Sequence, residues 1–326
     1  MIQLREHQTE TLNRLSEYNK GQVIVPTGGG KTMCMIEDAK KQFTKNSVSK
    51  TIVVVAPRIL LAQQLCADFL ELIDNVDVLH VHSGETHYYS TTKTKEIEEY
   101  YHTSVNNLLI FTTYHSLHKI SESLDIEVDT IYFDEAHNSV QRNFYPATEH
   151  FATRDNSRCF FFTATPKHST TVEKPGMNNE KVYGKVIINV PAPKLVKEGH
   201  ILPPKVVIKK IDVPDDSRFS YEKDCDHVIS TMDEIDTDKV LICARSTKQI
   251  VNLVAHSKLV NELSWRGYSW MYITAKTGAI IDGEKVSRQE FFDVLNVWGQ
   301  DDTKRFVVLH HSILSEGINV KGLEAA

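Results

Sequence analysis

No stretch of this chain is apolar for long enough to cross a bilayer. Its richest run, Thr51 to Ala56 and then Ile59 to Ala62, is broken by Pro57 and Arg58, well short of the roughly 20 residues a membrane helix needs. The opening MIQLREHQTE is polar and charged, unlike a secretory leader. Cysteine is sparse: Cys34, Cys66, Cys159, Cys225 and Cys243 are scattered, with no C-x-x-C pair, which argues against a disulfide framework or a cysteine-based zinc site. Basic residues do not dominate, since 37 Lys+Arg face 43 Asp+Glu for a formal charge of −6, so no global positive field exists and any nucleic-acid surface must be a local groove. With 14 Gly and 10 Pro in 326 residues, collagenous and low-complexity classes are excluded. These absences predict a soluble, cytoplasmic protein without a membrane partner.

What is present is globular: 41% hydrophobic and 25% charged residues over a length that suits two domains. Residues 1–167 repeat one theme of apolar run, turn and amphipathic stretch. Runs at 22–25, 51–55, 78–82, 108–112, 130–133 and 159–163 are mostly apolar throughout, as expected of strands covered on both faces. Helical patterns at 32–43, 59–73, 93–101 and 114–121 fall between them, giving the rhythm of a doubly wound parallel sheet, whose ligands sit at the carboxyl ends of the strands. Residues 168–204, with VEKPGMNNE and NVPAPKLVKEGHILPP, read as a connector. From 205 to 326 the theme returns, with strands at 206–211, 240–243, 270–274 and 306–310 and helices near 221–235, 247–258 and 287–297. This predicts a second, shorter α/β domain.

Two motifs carry chemistry. The first strand runs into Pro26-Thr27-Gly28-Gly29-Gly30-Lys31-Thr32 and then a helix, the context of a phosphate-binding loop. Glycines let backbone N–H groups surround phosphate oxygens, and the helix N-terminus adds positive charge. Lys31 would neutralise the terminal phosphates and the Thr32 hydroxyl would ligate Mg²⁺. The strict pattern wants Gly or Ala where Val25 stands, and the bland reading is a glycine-rich turn with an exposed lysine. Farther on, 130–133 ends in Asp134-Glu135-Ala136-His137. A carboxylate at the tip of a buried strand is costly without a positive partner, and a phosphate-bound metal is one. Asp134 would hold the metal, and Glu135 would polarise the attacking water. The alternative is a solvated acidic pair.

With these motifs in place, the chain resembles superfamily 2 helicases with a DEAH box, in the branch of type I and type III restriction-enzyme motor subunits and phage recombination helicases. That resemblance implies two tandem RecA-like domains. It assigns Gln8, and with it Arg5, to the adenine, through Leu4-Arg5-Glu6-His7-Gln8. Pro57-Arg58, Ser83-Gly84, Thr113 and Ser116 stand where the family contacts the nucleic-acid backbone. Thr163-Ala164-Thr165-Pro166 matches the element coupling ATP to the track, implying coupling roles for Thr163, Thr165 and His137. In the second half, Arg245-Ser246, Thr274 and Lys276 fill track-contacting motifs. Ser315-Glu316-Gly317-Ile318-Asn319 implies that Gly317 and Asn319 approach the nucleotide. Cofactors would be ATP and Mg²⁺, and the partner nucleic acid, DNA by branch. Small hydroxyl and backbone donors suit sequence-independent phosphate contacts, although Ser83, Thr113 and Ser116 also read as plain capping or turn residues.

The family carries a Gln/Gly/Arg-rich helix after the Ser-Glu-Gly motif, whose arginine fingers are typically worth about 10³ to 10⁵ in rate; none precedes Ala326. Three explanations stay open: truncation, a split gene, or a completing polypeptide. The competing function is therefore a nucleotide-regulated nucleic-acid-binding module with little turnover. A small-molecule kinase explains the loop but not Glu135 or the second α/β unit. The 15 histidines show no clustering with Cys or carboxylates at ligand spacing, so they read as structural, and Trp265, Trp270 and Trp298 read as packing residues.

Overall fold

The computed structural model describes residues 3–44, 48–84, 86–123, 125–171, 173–203, 206, 208, 220–274, 277–311 and 322–323. The chain divides into two compact units, Met1–Lys205 and Val206–Ala326.

The first unit alternates helices and strands: α1 (Glu6–Glu17), β1 (Lys20–Ile24), α2 (Lys31–Thr44), β2 (Thr51–Ala56), α3 (Ile59–Leu70), β3 (Val76–Val81), α4 (Thr94–Thr103), β4 (Asn107–Thr113), α5 (Leu117–Glu122) and β5 (Thr130–Phe133). A 3-10 turn over Ala136–Asn138 leads to α6 (Tyr145–Ala152), β6 (Arg158–Thr163), α7 (Glu180–Tyr183), β7 (Val186–Asn189) and α8 (Ala192–Lys197). The seven strands form one sheet in the order β3-β4-β2-β5-β6-β1-β7, and every pairing in it is parallel. Strand alternation explains why β2 reads TIVVVA without a polar break. Ile52, Val54 and Ala56 enter the core on one face with Leu12, Met35 and Leu65. Val53 and Val55 enter the opposite core with Leu117, Phe151 and Phe161. A sheet covered on both sides has no solvent face to make polar.

Residues 168–204 are more than a connector. They contain β7, which pairs with β1, and α8, whose Leu195 is fully buried against the first core. The buried Gln22 amide fastens the preceding loop by donating to the carbonyls of Met177 and Gly184, both at 2.9 Å.

The second unit comprises α9 (Ser220–Ile235), β8 (Lys239–Cys243), α10 (Thr247–His256), α11 (Leu259–Trp265), β9 (Ser269–Thr274), β10 (Gly278–Ile281), β11 (Glu284–Val286), α12 (Arg288–Gln300) and β12 (Phe306–His310). Its sheet, β11-β10-β9-β12-β8, is parallel only across β8, β12 and β9; β10 pairs antiparallel with β9 and β11. The parallel strands β8, β12 and β9 thus form the α/β part of this unit, and the hairpin extends its edge. The hairpin turns through Asp282 (φ 46°) and Gly283 (φ 93°), the positive-φ pair that a two-residue turn of the right twist requires. Trp270 is buried, whereas Trp265 is 82% exposed with Arg266 over its ring, so Trp265 is no part of the second unit's core. The expected strand at 206–211 lies largely outside the described residues.

Candidate functional site

β1 delivers the chain into a tight loop. Val25 still bonds to the Thr163 carbonyl at 3.0 Å, Gly29 N donates to Pro26 O at 3.0 Å, and Cys34 N to Gly30 O at 3.3 Å opens α2. Gly28 (φ 76°) and Gly30 (φ 83°) adopt the left-handed conformation, cheap for glycine alone. At Gly30 a Cβ would also run into the Gln8 amide. The start of α1 braces three successive loop carbonyls: Arg5 Nη1 donates to Gly28 at 3.1 Å, His7 Nε2 meets Gly29 at 2.7 Å, and Gln8 Nε2 reaches Gly30 at 3.4 Å. The Gln8 Oε1 accepts from Arg5 N at 2.9 Å. Arg5 and Gln8 thus touch the loop itself, and His7, which motif reading passed over, makes the shortest of these bonds. Thr27 and Gly28 are exposed, and Lys31 and Thr32 at the head of α2 are half-buried.

The acidic pair lies at the tip of β5. Asp134 is buried, and its N–H still donates to Val55 O at 2.8 Å. Burial, and then the neighbouring Glu135 charge, push its carboxyl up to about 7, with Lys31 opposing. A buried carboxyl held so high lacks countercharge, which a cation would supply. Glu135 has φ 44°, a costly conformation for a side chain with a Cβ. It is held there by Asn138, whose N and Nδ2 donate to the Glu135 carbonyl at 3.0 and 3.1 Å. The twist sets Glu135 Oε1 3.4 Å from Lys31 Nζ, with side chains only 14% and 9% exposed. Glu135 Oε2 lies 3.5 Å from His137 Nδ1, which is 3.0 Å from Thr163 Oγ1. The Thr163 oxygen accepts from Thr165 N at 3.1 Å. Lys31, Glu135, His137, Thr163 and Thr165 therefore form one polar chain across the ends of β1, β5 and β6.

The remaining first-unit candidates follow β2, β3 and β4 along the same sheet edge. Pro57 and Arg58 lead from β2 into α3, and Ser83 and Gly84 follow β3. Thr113 closes β4, with its hydroxyl 3.5 Å from that of Ser116. The Ser83–Gly84 loop lines an open pocket with His82, Tyr88 and Lys93. The strand order puts β3-β4-β2 on one side of β5 and β6-β1 on the other, so the edge splits into a hydroxyl-bearing half and a phosphate-loop half. Tyr114, just past β4, joins them: buried, it donates from its OH to Asp134 O at 2.8 Å. Tyr114 lies in sequence between the candidates Thr113 and Ser116, but its bond to Asp134 arises only through the fold.

In the second unit, Ser246 caps α10, accepting from Gln249 N at 3.2 Å, and Arg245 N donates to Gln249 Oε1 at 3.0 Å. Thr274 at the end of β9 accepts from Thr277 N at 3.0 Å. Lys276, Gly317 and Asn319 lie outside the described residues.

A doubly wound, all-parallel sheet with these strand tips is the RecA-like fold of helicase motor domains. The family described as "Type III restriction enzyme, res subunit" matches residues 1–168, and the chain belongs to that family, within the superfamily 2 helicases that include restriction-enzyme motor subunits. Among solved structures it is similar to the ATP-dependent Type ISP restriction-modification enzyme LlaBIII bound to DNA, with TM-score 0.73 and 16% identity over 99% of this chain and 25% of that one. It also resembles a nuclease-deletion mutant of the Type ISP enzyme LlaGI in complex with a DNA substrate mimic, with TM-score 0.52 and 20% identity over 72% and 23% of the two chains. The Hef helicase domain of Pyrococcus furiosus gives TM-score 0.54 and 13% identity over 98% and 88%. The chain thus spans about a quarter of the length of the Type ISP chains. No curated protein matches it. Among the described residues no helix is long and apolar enough to cross a membrane.

Proposed function

We propose that this chain is an ATP-dependent nucleic-acid translocase or helicase motor, acting on DNA. The observation that carries the reading is the 3.4 Å approach of Glu135 to Lys31, which brings the tip of β5 to the loop after β1 across the intervening β6. In this reading Gly28, Gly29, Gly30 and Lys31 bind the phosphates of ATP. Thr32 and Asp134 hold Mg²⁺, which when bound neutralises phosphate charge. Glu135 accepts a proton from the attacking water. His137 and Thr163 relay the state of Glu135 to Thr165. Arg5 and Gln8, anchored to the loop, border the base. Pro57, Arg58, Ser83, Gly84, Thr113 and Ser116 grip the sugar-phosphate backbone without reading bases. Arg245, Ser246, Thr274 and Lys276 take nucleic-acid-binding roles, and Gly317 and Asn319 nucleotide-binding roles, by the family resemblance of their motifs. DNA is favoured because LlaBIII and LlaGI were captured with DNA or a DNA mimic.

Steady-state phosphate release, measured with and without single-stranded DNA, tests the reading. DNA-stimulated turnover is expected from the chain and not from Lys31→Ala. Equal rates in the two proteins would overturn it. Nucleotide-dependent DNA binding with negligible phosphate release would instead identify the binding module.

A further inference from the structure

Beside the phosphate loop lies a cluster of ligand-type side chains that the motor reading does not use. After α8 the chain reverses through Gly199 (φ 71°), with His200 N donating to Leu195 O at 2.8 Å. This turn carries Glu198 and His200 to His7 on α1. One ring nitrogen of each histidine and one Glu198 oxygen all lie within 4.8 Å of one another, and His200 Nε2 is 3.6 Å from Glu198 Oε2.

His7 is the informative member. Its side chain is fully buried, and Nε2 lies 2.7 Å from the Gly29 carbonyl. A carbonyl only accepts, so the neutral ring's proton belongs on Nε2 and the lone pair on Nδ1. Nδ1 is buried with no hydrogen-bond partner. An unmet buried acceptor is destabilising, because it gives up its hydrogen bond to water and gains none. An imidazole whose one nitrogen is fixed by donating to a backbone carbonyl, with the other left bare, is arranged as metal-ligating histidines are.

We propose that His7, Glu198 and His200 form a binding site for a transition-metal dication of the zinc type, with His7 ligating through Nδ1. Two imidazoles and a carboxylate suit Zn²⁺ or Co²⁺, whereas Mg²⁺ and Ca²⁺ prefer all-oxygen shells, so this site is distinct from the Mg²⁺ position at Thr32 and Asp134. Glu198 is at the surface and His200 half-exposed, which gives the ion a way in. Once bound, it would tie α1 and the turn after α8 to the phosphate loop through Gly29. Ile201 from that turn already lies against Gly28, its Cγ2 3.2 Å from where a Cβ would stand.

The test is a titration of the chelator-stripped full chain with Co²⁺, followed by visible ligand-field absorption, and with Zn²⁺ by calorimetry. Saturable binding at about one ion per chain is expected, unaffected by excess Mg²⁺. His200→Ala and Glu198→Ala, both on a surface turn, should weaken it at least about tenfold, while the exposed control His118→Ala should not. His7→Gln, which keeps a donor for Gly29, should weaken it equally. No saturable binding, or the same affinity in His200→Ala as in the unaltered chain, would overturn the site. Equal weakening in His118→Ala would mark the ion as adventitious and do the same. None of these readouts depends on ATP turnover.

Discussion

Glycine 30 shows how one residue joins local conformation to chemistry. Its φ of 83° strains any residue with a side chain, and a Cβ there would meet the Gln8 amide. Gly30→Ala should therefore cost about 1–3 kcal/mol of backbone strain and push the Gln8 amide off the loop. Nucleotide affinity, read by fluorescent-ATP titration, is expected to fall at least about tenfold, and unchanged affinity would refute the bracing of the loop by α1. A histidine supplies the pH dependence. His80 is buried in β3, and Gly84 N donates to His82 Nδ1, so His82 donates from Nε2 to His80 Nδ1 at 3.0 Å. Burial, and then the neighbouring His82, push His80 down to about 4, and burial lowers His82 as well. Below the ordinary histidine value near 6.5 the unfolded chain takes up protons that the native state refuses. Stability is then full above about pH 6.5 and falls as pH drops toward 4, by on the order of 3 kcal/mol for His80. Urea unfolding midpoints from pH 7.5 to 4.5 should show this fall, and His80→Phe should flatten it.

At the scale of elements, what the sequence made legible followed from period. Strands β1, β2, β4, β5 and β6 were readable because burial on both faces leaves apolar runs, and the glycine loop and acidic tip because their chemistry is local. β7 was not, because VIIN is four residues long with both ends exposed. The β10–β11 hairpin has an Asp282-Gly283 turn signature, but its strands are only four and three residues long, too short for a period of two to stand out. His7, Glu198 and His200 could not be seen as a cluster: spacing rules detect ligands near in sequence, and these converge only through the fold. The same holds for the buried ion pair between α2 and β6. Arg158 grips both oxygens of Asp38 at 2.8 and 3.1 Å and the Leu15 carbonyl at 2.8 Å, while Tyr132 donates to Asp38 at 2.6 Å. Removing one partner strands a buried charge, so Arg158→Met should lower unfolding free energy by about 3–5 kcal/mol, measured by chemical denaturation. A loss within experimental error would mean that the network contributes little.

Over the whole molecule, the proposed motor has to combine a formal charge of −6 with binding a polyanion. In that reading, local donors at the ends of β2, β3 and β4 would reconcile the two. Binding to single-stranded DNA should then weaken linearly in log salt with a shallow slope, on the order of −0.7 per phosphate neutralised, and Arg58→Ala should reduce that slope by under about one. A salt-independent affinity would contradict backbone gripping. In the proposed motor, Lys31 and Glu135 serve one ATP. The decisive measurement is single-turnover hydrolysis by Glu135→Gln, with ATP binding measured on the same sample. Retained binding and a hydrolysis rate lower by about 10² to 10⁴ are expected; hydrolysis at the unaltered rate would rule out the shared role.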